Sequence, residues 1–176
     1  MSSNPLEFIA CDLLGAGEAQ TIAASLAAGD PWRTLGYGAD ALARGLQLTH
    51  PDLTRYLAVR NGVIQGLAVI RHPWLRGAYI ELFAVLPDAQ GQGVGRAVLT
   101  FIERTYRGRT PNLWLLVSGF NSGARAFYEK QGFRPVGLLT DLVIAGQDEV
   151  LMRKVIQAHP TPSRRTPSAS PAEQGD

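Results

Sequence analysis

The stretch Gln90-Gly91-Gln92-Gly93-Val94-Gly95 decides the reading of this chain. It follows an apolar, strand-like run, Ala78 to Leu86, and opens an amphipathic run, Val94 to Thr105. In the second run Val94, Ala97, Val98, Phe101, Ile102 and Thr105 share one helical face. A strand, a glycine-rich loop and a helix in that order aim a row of free backbone N–H groups at an anion such as a phosphate. The glycines let the backbone approach without Cβ clashes, and the helix dipole favours the negative charge. A glycine-rich turn alone carries little information. A dinucleotide-binding domain uses one too, but with an acidic residue closing a strand about twenty residues on. Here the loop sits mid-chain, after a hairpin, and no such acid follows.

Outward from the loop, the elements alternate. Residues 6 to 12 read as a first strand, and Ala19, Ile22, Ala23 and Leu26 space a buried stripe along a helix from 18 to 28. Asp30-Pro31 predicts a new helical turn, with Asp30 as N-cap and proline in the first position. A short helix is expected from Asp40 to Gln47. The runs Leu53 to Arg60 and Val63 to Ile70 flank Asn61-Gly62, a strong hairpin signal. His72 to Gly77 reads as a loop. On the far side, Asn112 to Ser118 is a dense apolar strand fit for the middle of a sheet. Ser122 to Gln131 is a helix stopped by Gly132. Arg134 to Ile144 and Asp148 to Lys154 close the domain as a hairpin.

Composition narrows the function classes. The chain has 176 residues, 45% of them hydrophobic, which suits one domain with a real core. No run of apolar residues is long enough for a transmembrane helix, and no secretory signal is read at the N-terminus. The net charge of +2 implies no nucleic-acid partner. Cys11 is the only cysteine and reads as an inert, buried hydrophobic residue of a strand rather than a catalytic thiol; a reducing cytoplasm fits it. His50, His72 and His159 are scattered, so no metal site is expected. Residues 159 to 176 alternate proline with serine and threonine and contain no large apolar residue, so a disordered tail is expected over 158–176, after a domain spanning 5–157.

A second element sharpens the first: Asn121, Ala124, Phe127, Tyr128, Gly132 and Phe133. With Val85-Leu86-Pro87 and the 90–95 loop, these residues resemble the two signature motifs of the GNAT superfamily of acetyl-CoA-dependent N-acetyltransferases. The resemblance covers roughly residues 78 to 135. It implies a mixed α/β (α+β) fold: a mostly antiparallel sheet of six to seven strands, helices on both faces, and two splayed central parallel strands. Those strands would be 78–86 and 112–118. The pantetheine arm of acetyl-CoA would lie between them, paired with backbone near Phe83, Ala84 and Val85, with the Val85 N–H polarising the thioester carbonyl. Gln90, Gly91, Gln92, Gly93, Val94, Gly95 and Arg96 would wrap the pyrophosphate. Asn121 and Phe127 complete the cofactor set.

The resemblance also implies chemistry. Tyr128, at the start of a helix, would be the general acid for the departing thiolate, its alternative being a core tyrosine on an apolar face. Glu81, alone among apolar neighbours in its strand, is the base candidate; the alternatives are an ion pair with Arg55, Arg60 or Arg71, or a water chain as base. Strand alternation puts it with Phe83 and Val85, unless a bulge intervenes. The acceptor site is expected between the early helices and the last hairpin, with Trp74 and Asp141 as walls. The implied activity is direct acetyl transfer to a primary amine of a small molecule or a peptide N-terminus. It needs no metal, nucleic acid or membrane, and leaves room for a homodimer. A non-catalytic acyl-CoA-binding module and a protein N-terminal acetyltransferase are the competing readings.

Overall fold

The computed structural model describes residues 4–157. Seven strands form a single sheet in the order β1-β2-β3-β4-β5-β7-β6. They are β1 (Glu7–Cys11), β2 (Leu53–Arg60), β3 (Val63–Trp74), β4 (Gly77–Val85), β5 (Asn112–Ser118), β6 (Arg134–Thr140) and β7 (Asp148–Val155). Every neighbouring pair is antiparallel except β4 and β5. Helices α1 (Ala16–Ala27) and α2 (Ala39–Leu46) cover one face; α3 (Val94–Tyr106) and α4 (Ser122–Lys130) cover the other. This is the expected architecture. Among the described residues no helix is long and apolar enough to cross a membrane. The expected tail, 158–176, lies outside the described residues.

Period-two alternation sorts the sheet's side chains into two cores. Leu67, Val69 and Ala84 join Ile22, Leu26, Leu42 and Leu46 under α1 and α2. Ala68, Ile70, Leu113, Leu115 and Val117 join Val98 and Ile102 under α3. On the α1–α2 side Arg55 is fully buried and, among the described residues, makes no salt bridge. Its guanidinium donates instead to the carbonyls of Asp12, Gly45 and Leu48, tying the end of β1 and the loop after α2 to the sheet.

One local expectation is met and one is corrected. The helical turn expected after Asp30-Pro31 is present: residues 30–36 are consecutive turns, with the Leu35 N–H donating to the Pro31 carbonyl at 2.9 Å. The Asp30 carboxylate holds its start, accepting from the Thr34 hydroxyl and the Arg33 guanidinium. His72 to Gly77 is not a loop: β3 runs on to Trp74, and β4 starts at Gly77 after a two-residue turn. Leu75 and Arg76 both take positive φ there, 39° and 54°, as a type I′ hairpin turn demands. Neither residue is one that normally signals such a turn. The Asn61-Gly62 hairpin is as expected, with both residues at positive φ.

Candidate active site

The site begins with a defect in β4. Val69 pairs with Leu82, but the next residue of β3, Ile70, pairs with Ile80. Glu81 is therefore the extra residue of a β-bulge. The bulge turns the side-chain alternation over. Ala78 and Ile80 face the α3 core, and so do Phe83 and Val85 beyond the bulge, while Leu82 and Ala84 face α1 and α2. The parallel pairing of β4 with β5 stops at the same place: its last partners are Ile80 and Leu115. Beyond them 81–85 and 116–118 diverge, leaving a gap through the sheet. Alternation with Phe83 and Val85 therefore fails for Glu81, and the bulge is the reason.

A cavity of about 1110 Å³ fills the gap and is lined by residues from both faces of the sheet. One end is the 90–95 loop. Gly91 and Gly93 sit at φ 73° and 79°, the left-handed region that glycine enters without strain, and Gly93 caps α3. Gln90 donates to the Val85 carbonyl and Gln92 to the Asp88 carbonyl, which fixes the loop through side chains. The N–H groups of Val94, Gly95 and Arg96 are the first-turn donors of α3, and Gly93 supplies no side-chain cap. A Cβ on Gly91 or Gly93 would meet nothing within 4 Å, so this end of the cavity is open to a ligand. A Cβ on Gly95 would sit 3.2 Å from the Phe127 ring and 3.4 Å from Val85, so that glycine serves packing of α3 on the gap. Donors, dipole and space fit a pyrophosphate.

The middle of the cavity is aromatic. Phe83 from β4 packs against Phe127 and, edge-on, against Tyr128, with ring centroids 6.1 and 6.0 Å apart. Tyr128 is 8% exposed and lies in the last turn of α4, not at its start. Burial raises the Tyr128 phenol well above its ordinary range, so it stays protonated. Asn121 lines the same space and caps α4, its Oδ1 accepting from the Ala124 N–H at 3.1 Å.

The far end lies beneath α2 and the 29–37 turns, with Trp32, Leu35, Tyr37 and Val143 on its walls. That is the expected place, between the early helices and the last hairpin, but the expected walls are absent. Trp74 stacks on Tyr79 at 4.7 Å and meets Trp114 edge-on, outside the cavity. The Asp141 carboxylate accepts from the Gly146 N–H at 2.6 Å, closing its own turn. Glu81 reaches the chamber and is held by Arg71, 2.8 Å away, which is one of the ion pairs foreseen.

Sequence reasoning missed Glu149. It lies on β7 opposite Ser118, is 4% exposed, and lines the chamber. The Ser118 hydroxyl donates to it at 2.7 Å. Burial raises its carboxyl above the ordinary range, against the lowering effect of that hydrogen bond. The Tyr79 phenol is raised to about 12, first by burial and then by the charges of Glu81 and Glu149. The signal available in the sequence was the one that singled out Glu81: an acid beside an apolar run, here Val150-Leu151-Met152.

Comparison with known proteins follows the same lines. Residues 19–133 match the profile of the family described as Acetyltransferase (GNAT) family. An uncharacterized N-acetyltransferase of Methanocaldococcus jannaschii is 33% identical over 101 residues, which cover 56% of this chain and 64% of that protein. The match thus spans less than two thirds of that relative's length. Among solved structures, the ribosomal-protein-S18-alanine N-acetyltransferase from Escherichia coli superposes with a TM-score of 0.69 at 22% identity, over 89% of this chain and 99% of that one. A GNAT family acetyltransferase from Elizabethkingia anophelis, solved with acetyl-CoA bound, gives 0.55 at 21% identity, over 59% and 76%. At such identities the two structures speak for the fold.

Proposed function

The chain belongs to the GNAT acetyltransferase family, and from that premise we propose that it moves the acetyl group of acetyl-CoA directly to a primary amine. The observation that carries the reading is the gap between β4 and β5, bounded by free N–H donors at one end and by a buried tyrosine at its centre. Residues 5–157 form the catalytic domain.

The 91–96 backbone holds the pyrophosphate, with Arg96 lining the same end. Backbone of Phe83, Ala84 and Val85 pairs with the pantetheine amides, and the Val85 N–H polarises the thioester carbonyl. Asn121 and Phe127 shape the passage between. Bound there, acetyl-CoA supplies the activated acyl group. Tyr128 holds the proton that the departing thiolate needs. Its burial suits that role, because an ionised phenol in this aromatic pocket would be costly. Glu81, fixed by Arg71, adds negative potential to the acceptor chamber.

The acceptor is a small amine or a peptide N-terminus. Trp32, Leu35 and Tyr37 offer apolar surface for its carbon skeleton, and the carboxylates favour its cation. The lone, non-activated Cys11 and the modest net charge fit a cytoplasmic protein without a nucleic-acid partner. The deciding experiment is an acetyl-CoA-dependent thiol-release screen over amines and N-terminal peptides. Release of thiol with a matching acetylated amine supports the reading. A clear acetyl-CoA binding signal with no release on any amine favours the acyl-CoA-binding module instead.

A further inference from the structure

The acceptor chamber holds two carboxylates, and they differ in one respect. Glu81 already has its cation in Arg71, at 2.8 Å. Glu149 has a neutral partner, the Ser118 hydroxyl, and among the described residues it makes no salt bridge. A carboxylate 4% exposed and without a cation is costly to keep in a fold. It also faces the right way. Val150 and Met152 point into the α3 core, so Glu149 projects with Leu151 to the opposite face, where the chamber lies.

We propose that Glu149 receives the acceptor's ammonium group and removes its proton, which makes it the base of the reaction. The inference rests on the acetyl-transfer reading above. The balance is as follows. An N–H bond of the ammonium breaks, the proton passes to a Glu149 oxygen, and the electron pair stays on nitrogen. That pair forms the C–N bond to the acyl carbon while the C–S bond breaks and its electrons leave with sulfur. Tyr128 protonates the thiolate, and the new amide's surplus proton returns to the Tyr128 oxygen. Glu149 then releases its proton through the chamber.

Among the titratable groups that line the chamber with Glu149, Tyr79 and Glu81 come from β4, Tyr128 and Lys130 from α4 and Tyr37 from the turns after α1, while β5 and β6 place Ser118 and Leu139 opposite it. Among the described residues, the hydrogen bond that favours its charged form is the one from Ser118.

The test uses the full chain, acetyl-CoA and tyramine, cadaverine and an alanine-initiated hexapeptide as amines. Glu149→Gln keeps an oxygen for the Ser118 hydroxyl but cannot take a proton. With an amine the parent acetylates, it should lose roughly 10²-fold or more in kcat, on the scale of general-base catalysis. Its acetyl-CoA thermal shift should be unchanged. The acidic limb of the pH–rate profile should vanish in Glu149→Gln, stay in Glu81→Gln, and move to higher pH in Ser118→Ala, where the bond favouring the carboxylate is gone. Turnover of Glu149→Gln within twofold of the parent, or a limb that Ser118→Ala leaves in place, overturns the inference. A parent chain that shows no acetyl-CoA shift fails at the earlier reading, which the thermal measurement tells apart.

Discussion

Tyr128 has the surroundings that both readings of its sequence context, core residue and general acid, ask for. Its ring is a core residue, packed on Phe83, Phe127 and Phe133, and its hydroxyl end borders the cavity. Tyr128→Phe removes only the hydroxyl, so packing and donor binding should survive. Turnover should fall by roughly 10²-fold or more, the scale of a lost general acid. The checks are steady-state kinetics and the acetyl-CoA thermal shift on the same sample. Unchanged kcat would assign the proton to another group. Glu149 carries a stability signature as well. Its carboxyl is raised in the fold, so the native state is favoured while it is protonated and loses stability as pH rises through that raised value. Glu149→Gln should therefore melt no lower than the parent at neutral pH, and relatively better there than at acid pH. Glu81 was legible because an acid stood alone in an apolar strand. Glu149 was not, because Asp148 beside it made the pair look like the polar start of a hairpin strand. Only pairing with Ser118 brings it under the chamber.

At the scale of elements, the loop and the turns behave differently. The 90–95 loop was legible because its glycines do conformational work that no other residue does as cheaply. Gly93 sits at φ 79°. Gly93→Val should lose roughly 1–2 kcal/mol from left-handed strain alone, more for a branched side chain. It should also abolish the acetyl-CoA shift, since the donors beside it would be re-aimed. Melting curves with and without acetyl-CoA separate the two effects. The turn at Leu75–Arg76 was illegible for the converse reason, since its residues do not suit the backbone they adopt. Replacing the pair by Asn-Gly should raise stability by about 1 kcal/mol. In a chain of this size that is roughly 2–4 °C in Tm, with kinetics unchanged because the turn lies outside the cavity. The Arg76 carbonyl that accepts from Thr110 and Asn112 is backbone and survives the change.

At the scale of the molecule, hydrophobic periodicity placed most of the strands and helices along the chain, while the central parallel pair and the helices on both faces were legible only through the family resemblance. The walls of the acceptor chamber did not follow, since they come from segments far apart in the chain that no local period connects. Among the described residues the last buried side chain is Ile156, whose N–H donates to the Pro111 carbonyl. A fragment of residues 4–157 is therefore expected to fold and to retain the response to acetyl-CoA. At a hundredfold excess over Kd that response is about 2.7 kcal/mol, or roughly 5–10 °C. A fragment that melts lower than the full chain would contradict this.

The seam between β4 and β5 is short: four residue pairs, Gly77 to Ile80 against Asn112 to Leu115, join a four-stranded half to a three-stranded one. Past that seam the amides that turn toward the gap have no strand opposite them even though they lie mid-sheet. Their hydrogen–deuterium exchange should accordingly resemble that of an outer strand in the free protein. Occupancy of the gap should slow exchange across 81–85 and 116–118 and leave β2 and β3 as they were. The sheet would then report, amide by amide, how far the ligand's arm reaches between its halves.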